Sequence, residues 1–436
     1  MSATPATGDR SPLALLREPE FLTLTAVRFI TGLAFATIII ALALYADLFE
    51  ASGVMAGLFG TAYAVVRLFV VLPMGRRIDI GNSKRWLLLG LGLNVLMLVG
   101  FTLVGTIEHV IALRGLQALG ATILWVTGAA VVGEIAPEDD RGLWIGTYNQ
   151  AQSVGSLGGD LVGGALLFLY GFQTTYAVLI VLTVVVTVAV VGFVRDDPGT
   201  RTDPGKTTGL ETFGRLLRRR AVLALVVFRF GFSFGKMAVV IFLPIYARTE
   251  FGMSALLIGG ILAGGKLTKG VAQGYVGGVA DRIGSMHRFV FAGTVAYAIG
   301  TALIPAAGVA APWFPALSLA SPWGDITLVP AFFVLFLAYS VLGVADSLRI
   351  PTSMTLFVQE GEYYNAVAGS LSLRSVSWQV GAIVGPLAVG GTLDYVSFRA
   401  GFWVAAGFIV IAGLVFLTLF EAEPPPEPDV AARADD

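Results

Sequence analysis

The feature that most constrains this chain is a train of twelve apolar stretches, most of them about twenty residues or longer, running from Phe21 to Phe420. A helix rises about 1.5 Å per residue, so about twenty apolar residues reach across the ~30 Å hydrocarbon core of a bilayer. Backbone N–H and C=O groups find no water there, so a run of this length crosses as a helix with its hydrogen bonds internal. The stretches are 21–46, 55–74, 86–105, 110–133, 143–169, 172–194, 221–245, 255–276, 289–306, 327–352, 366–391 and 401–420. They predict an all-α polytopic membrane protein with twelve transmembrane helices in a lipid bilayer. Composition agrees: 56% of residues are hydrophobic and 13% charged, against about 25% charged in soluble domains.

Basic residues give the orientation. Seventeen of the 28 Lys and Arg residues lie in the terminal segments and in loops on the same side, and only Arg248 and Arg399 lie in loops on the other. Short cytoplasmic loops carry the Lys and Arg excess, so both termini are expected in the cytoplasm. Segment 1–20 has no signal-peptide apolar core, and the first stretch is expected to stay as a helix. The chain then divides into a cytoplasmic N-terminal segment 1–20, a six-helix half 21–194, a cytoplasmic linker 195–220, a second six-helix half 221–420 and a disordered acidic tail 421–436. The basic run Arg218-Arg219-Arg220 closes the linker and reads as an anchor facing lipid headgroups. Arginine outnumbers lysine 23 to 5, the usage of a GC-rich prokaryotic genome, so the expected location is the cytoplasmic (inner) membrane.

Several function classes drop out. There is no cysteine, which excludes disulfides and thiolate metal sites, and His109 and His287 are far apart in sequence. No metal or other cofactor is expected. A net charge of −1 gives no footprint for nucleic acid. Gly260 to Lys266 fits the start of a phosphate-binding loop, yet Leu267 stands where Ser or Thr would bind magnesium and the segment lies inside an apolar stretch. Nothing resembles a catalytic triad, and no enzyme activity is expected.

The chain repeats internally. A shift of 202 residues carries Ser52 to Ser254, Gly57 to Gly259, Arg67 to Lys269, Gly75 to Gly277 and Asp79 to Asp281. A shift of 203 carries Lys84-Arg85 to His287-Arg288, and a shift of 201 carries Arg28-Phe29 to Arg229-Phe230. A shift of 226 carries Gly155, Gly159 and Gly164 to Gly381, Gly385 and Gly390. Two six-helix halves of the same topology are related by an axis along the membrane normal, with solute sites at their interface near midplane.

Local motifs sharpen this. The loop after the eighth stretch reads Gly277-Gly278-Val279-Ala280-Asp281-Arg282-Ile283-Gly284, and its counterpart after the second reads Gly75-Arg76-Arg77-Ile78-Asp79-Ile80-Gly81 followed by Lys84-Arg85. The fourth stretch contains Arg114-Gly115-Leu116-Gln117-Ala118-Leu119-Gly120, and the fifth Gly159-Asp160-Leu161-Val162-Gly163-Gly164. Over nearly its whole length the chain resembles the major facilitator superfamily. The first loop matches that family's G-x-x-x-D-R-x-G signature; the second departs from it, with Ile80 for the arginine and the second glycine one residue early. The segment at Arg114 resembles R-x-x-Q-G with Ala118 for glycine. The segment at Gly159 resembles the G-P-x-x-G-G motif of drug:proton antiporters with Asp160 for proline, so the proline kink is expected to be missing. The resemblance implies gating by Asp79, Arg85, Asp281, Arg282, Gln117, Gly159 and Gly163, with the carboxylates latching the cytoplasmic side, and it ties Arg114 to proton coupling. The stripe Gly155, Gly159, Gly163 on one helix face by itself reads as close helix packing.

Charges within the stretches are Arg28, Arg67, Arg114, Arg229, Lys236, Lys266, Lys269, Arg349 and Arg374 against only Asp160 and Asp346. Intramembrane charges are costly and mark sites. The excess predicts a positive cavity whose substrate-binding residues are Arg67, Lys236, Lys266 and Lys269, with Arg28 and Arg374. Asp346 is placed to pair with Arg349 on its own face or with Arg374. Asp160 or Asp346 would carry a proton. The leading expectation is a secondary active transporter that exports a small organic solute against proton entry and works as a monomer. The alternatives are a carrier of organic or phosphorylated anions, and a non-transporting receptor or lipid translocator on the same fold.

Overall fold

The computed structural model describes residues 12–80, 82–196, 210–283, 285–312, 314–320, 326–363 and 366–420. Its long helices are α1 (Pro19–Leu48), α2 (Gly53–Ile80), α3 (Ser83–Thr102), α4 (Ile107–Ile135), α5 (141–170), α6 (172–193), α7 (Arg220–Thr249), α8 (Ala255–Ile283), α9 (Met286–Leu303), α10 (Pro330–Tyr363), α11 (Val367–Tyr395) and α12 (Phe398–Leu419); two short ones, Pro12–Leu15 and Leu210–Leu217, precede α1 and α7. Sequence marks several of their starts. Pro19 and Pro330 open helices where a missing N–H costs nothing. Asn82 caps α3 by accepting from Arg85 N at 3.0 Å, and Ser397 caps α12 by accepting from Ala400 N at 3.2 Å.

Among the described residues, eleven continuous helical segments are long and apolar enough to span, and one of them, Arg141–Phe193, is 53 residues long. It breaks at Gly171, whose φ of 70° and ψ of −169° no helix contains and glycine adopts without strain. The two arms run in opposite directions. Before the break, Gly155, Gly159 and Gly163 lie in order along Phe29, Leu33 and Thr37 of α1. After it, Gln173 donates to Thr102 O at 2.8 Å and Lys84 donates to Val191 O at 2.7 Å, at opposite ends of α3. The segment therefore crosses twice, as α5 and α6, which makes twelve crossings. The tenth stretch begins later than expected: Leu317–Leu319 (β1) and Ile326–Leu328 (β2) pair antiparallel, and α10 starts only at Pro330. Pro330 has no N–H for the ladder, so the strand stops and the helix starts there.

Valines on α6 (Val181, Val184, Val185, Val188) and side chains on α12 (Val410, Ile411, Leu414, Leu417) are exposed in rows at helical spacing. A soluble protein avoids such a surface; a bilayer solvates it. Threonines inside spans return their hydroxyls to the preceding turn, as Thr37 does to Leu33 O at 2.9 Å and Thr183 to Leu179 O at 2.7 Å.

The glycines that matched in sequence match in packing. Within the first half, a Cβ on Gly155 or Gly159 would sit 2.1 Å from Phe29 O or 2.3 Å from Leu33 O of α1. Within the second, Gly381 and Gly385 meet Phe230 O at 2.3 Å and Phe234 O at 2.2 Å of α7. Between the halves the same rule produces two seams. In one, Gly57 of α2 faces Pro386 O of α11 at 2.5 Å and Gly390 faces Gly53 O at 2.2 Å. In the other, Gly259 of α8 faces Asp160 O of α5 at 2.0 Å and Gly164 faces Ala255 O at 2.8 Å. The shifts of 202 and 226 convert one seam into the other, and they make Asp160 the counterpart of Pro386. Both seams lie between midplane and the membrane face opposite the termini, called the far face below. Two charged contacts accompany them: Asp394 accepts from Gly53 N at 2.5 Å and Val54 N at 2.9 Å, and Arg248 bonds Asp47 at 2.8 Å. At the face of the termini, Arg195 holds Glu20 at 2.7 Å and Arg219 holds Glu360 at 2.7 Å, tying the two ends of the 195–220 segment to helices of the two halves.

Candidate functional site

The polar groups near midplane form three assemblies. The first is inside the second half. Asp346 on α10 is held from two sides, by Lys236 on α7 and by Arg349 Nη2 one turn along its own helix at 2.6 Å. Arg349 is fully buried, with its guanidinium over the Phe232 ring at 3.5 Å; Lys236 lies over Tyr297 at 5.5 Å. A carboxylate in hydrocarbon persists only with its charge compensated, and two cations compensate this one. Arg374 is not its partner.

The second assembly joins the halves. Lys266 on α8 reaches across to α5, where its ammonium pairs with Asp160 at 2.5 Å and donates to Ser156 O at 3.1 Å and Ser156 Oγ at 2.6 Å. The Asp160 side chain has no exposed surface. It sits in a π-helical turn, Gly159–Gly163. The helix departs from regular α geometry here although Asp160 stands where the drug:proton antiporter motif has proline. The turn is rich in glycine, among the weakest helix formers, and the Thr37 hydroxyl of α1, whose proton goes to Leu33 O, lies 3.3 Å from Gly159 O. π turns of this kind recur at functional sites. Tyr339 of α10 packs on Gly265, where a Cβ would meet its ring at 2.3 Å, and lies within electrostatic reach of both Asp160 and Asp346. Lys269 lies within electrostatic range of Lys236, Lys266 and Asp346.

The third is a clamp in the first half. Arg114 is 1% exposed, donates Nε to Phe59 O of α2 at 3.0 Å and Nη1 to Gln117, and lies over Tyr63 at 4.8 Å. Among the described residues it has no carboxylate partner, so here it binds α2 to α4. Gln117 is its acceptor. Gly159 and Gly163 are contact points with α1.

The remaining basic residues lie toward the face of the termini. Arg28 stands over Tyr148 at 5.3 Å, Arg67 over Trp125 at 5.0 Å and Arg229 over Trp378 at 4.1 Å. Of the residues expected to receive an anion, Lys236 and Lys266 are each paired with a carboxylate here. Arg85 is exposed at the start of α3; the side chains of Asp79, Asp281 and Arg282 lie outside the described residues. Sequence reasoning missed Tyr339, Ser156 and the aromatic platforms, which 29 Phe, 12 Tyr and 7 Trp hide among themselves. It also missed the far-face contact Asp47–Arg248, although the shift of 201 that pairs Arg28 with Arg229 pairs those positions too.

Two pseudo-symmetric six-helix halves that meet through glycine seams, with charged side chains bridging them at midplane, match known proteins. The Major Facilitator Superfamily model covers residues 24–324 and 313–435. The chain belongs to the major facilitator superfamily. It is a multi-pass membrane transporter of that superfamily and not an enzyme. It is similar to the multidrug resistance protein MdtG of Dickeya zeae (strain Ech586), with 26% identity over 395 residues, 88% of this chain and 90% of that protein. A shorter similarity, 26% over 125 residues, links 29% of the chain to 27% of the riboflavin transporter RibZ of Clostridioides difficile (strain 630). Among solved structures, the nucleoside transporter NupG superposes with a TM-score of 0.71 at 12% identity, covering 92% of this chain and 99% of that one. The peptide transporter POT in complex with sulfate superposes with 0.73 at 14%, covering 94% and 98%. At such identities the structures speak for the fold alone.

Proposed function

We propose that this superfamily transporter works by alternating access and exports a small organic solute across the cytoplasmic membrane in exchange for protons, with both termini in the cytoplasm. The observation that carries the reading is the buried Asp160–Lys266 pair, because it joins the two halves at the seam that must part when the far face opens. Asp346 is held by two cations of its own half, so rocking the halves leaves its pair intact. Asp160 is the better proton carrier for that reason.

The cycle follows from the pairing. With the far seams closed, Lys266 compensates Asp160. Opening the far face withdraws the ammonium and leaves a carboxylate in a poorly solvated place, where it takes a proton from the outer medium. Closing brings Lys266 back, the ammonium replaces the proton, and the proton leaves toward the cytoplasm. Each outward excursion that carries solute thus returns with a proton. The relatives named multidrug resistance proteins support export as the direction.

The test uses purified protein in liposomes with an imposed pH gradient and three fluorescent probes of different charge: ethidium, riboflavin and fluorescein. Accumulation of at least one is expected to depend on the gradient and to fail in Asp160→Asn. Movement of every transported probe at the same rate with the gradient collapsed would refute the coupling.

A further inference from the structure

We propose that the transported solute is an organic anion, and that its acidic group docks on the paired guanidiniums of Arg229 and Arg374 in the second half, with Arg28 and Arg67 as the equivalent pair in the first. This rests on the transporter reading and names its substrate class.

Four observations support the assignment. The two intramembrane carboxylates are used by Lys236, Arg349 and Lys266. Among the described residues, Arg28, Arg67, Arg229, Lys269 and Arg374 therefore have no carboxylate partner. Second, these arginines are grouped by sign: Arg229 lies within electrostatic reach of Arg374 and Arg349, and also of Asp346, which Lys236 and Arg349 already hold, while Arg28 lies within reach of Arg67. Like charges brought together inside a membrane protein need an opposite charge from somewhere. Third, the Nε atoms of Arg28, Arg67, Arg229 and Arg374 are buried and donate to no acceptor among the described residues. Arg229 as a whole is only 9% exposed. A buried donor left unused is a standing cost that an incoming acceptor removes.

The fourth observation gives the chemistry. The guanidinium carbons of Arg229, Arg67 and Arg28 stand 4.1, 5.0 and 5.3 Å from the ring centroids of Trp378, Trp125 and Tyr148. Cation–π attraction holds a guanidinium without using up its N–H donors. The N–H edge of a guanidinium matches the two oxygens of a carboxylate or phosphate. Arg229 lies nine residues into α7 and Arg374 seven into α11, so both sit on the termini side of Lys236, where a solute from that side meets them before the Asp160–Lys266 pair. The shared chemistry has two sources, a soluble organic acid or an anionic lipid headgroup, and the assignment is to the soluble acid.

The experiment measures binding at equilibrium, without a proton gradient, so its outcome is independent of the vesicle assay for coupling. Thermal stabilisation of the purified, delipidated full chain is titrated with benzoate, phenyl phosphate, benzamide, tetraphenylphosphonium and phosphatidylglycerol. Benzoate or phenyl phosphate is expected to stabilise the wild type and the neutral amide is not. Arg229→Gln and Arg374→Gln are expected to weaken that binding roughly ten- to a hundredfold, with Arg229→Lys intermediate because it keeps the charge and loses the fork. If either glutamine variant misfolds, the Arg28→Gln and Arg67→Gln pair gives the same reading from the other half. The assignment is overturned if only the phosphonium cation binds, if neither acid binds, if the acids bind unchanged to the glutamine variants, or if phosphatidylglycerol alone gives arginine-dependent stabilisation.

Discussion

Gly259→Ala should shift this transporter toward the conformation open at the far face. A Cβ added at Gly259 would lie 2.0 Å from Asp160 O, and ordinary contact begins at 3.4 Å. The α5 and α8 backbones must then part by about 1.4 Å, the difference of those distances, and no flexible side chain is available to absorb it. Overpacking of this kind costs about 1–3 kcal/mol, which changes a two-state ratio by about 5- to 150-fold. The cost falls only on the state with the seam closed. Gly155→Ala is the control, because its Cβ would meet Phe29 O at 2.1 Å within one half; it should lower thermal stability without moving the balance between states. The assay is pulsed spin–spin distance measurement between labels at Val54→Cys and Tyr395→Cys, across the other seam. The chain has 0 cysteines, so labels attach only where placed. A folded Gly259→Ala protein with an unchanged distance distribution would show that the seams do not separate together, and the reasoning would fail.

Lys266→Met leaves Asp160 buried without its cation and should destabilise the far-closed state by about 3–5 kcal/mol. Adding Asp160→Asn should recover most of that loss, as a double-mutant cycle on the same label distances would read. Asp394→Ala removes the acceptor for Gly53 N and Val54 N at the start of α2. Because the site is exposed, the far-open population should rise only a few-fold, visible as slower cross-linking of the Val54→Cys/Tyr395→Cys pair. Arg114→Met leaves the Phe59 carbonyl and the Gln117 amide without a donor and should cost about 2–4 kcal/mol, measured as a lower unfolding temperature in detergent.

The crossings were legible because the bilayer imposes one length and one polarity on every span. The duplication was legible because charges inside apolar runs are rare enough that Arg28 with Arg229, or Arg67 with Lys269, stands out from chance. The glycine stripe read as packing, and packing is what Gly155 and Gly159 do; that Gly57, Gly259 and Gly390 instead line the seams between halves depends on which helices meet, which spacing along one helix does not contain. Pairing was less legible for the same reason. Arg349 with Asp346 follows from a spacing of three, whereas Asp160 with Lys266 needs two helices from different halves brought face to face. The π turn at Gly159–Gly163 packs on Thr37 of α1, a neighbour that spacing along α5 does not name, and β2 lies in apolar sequence that resembles the start of a span.

The central claim is that a proton taken up by Asp160 stabilises the open far face, and the same spin-label pair tests it without any solute. Lowering the pH on both sides should raise the far-open population of the wild type, since a protonated Asp160 no longer attracts Lys266. Asp160→Asn should show the raised population at every pH. Wild-type distances indifferent to pH, or an Asp160→Asn protein that still responds as the wild type does, would contradict the account.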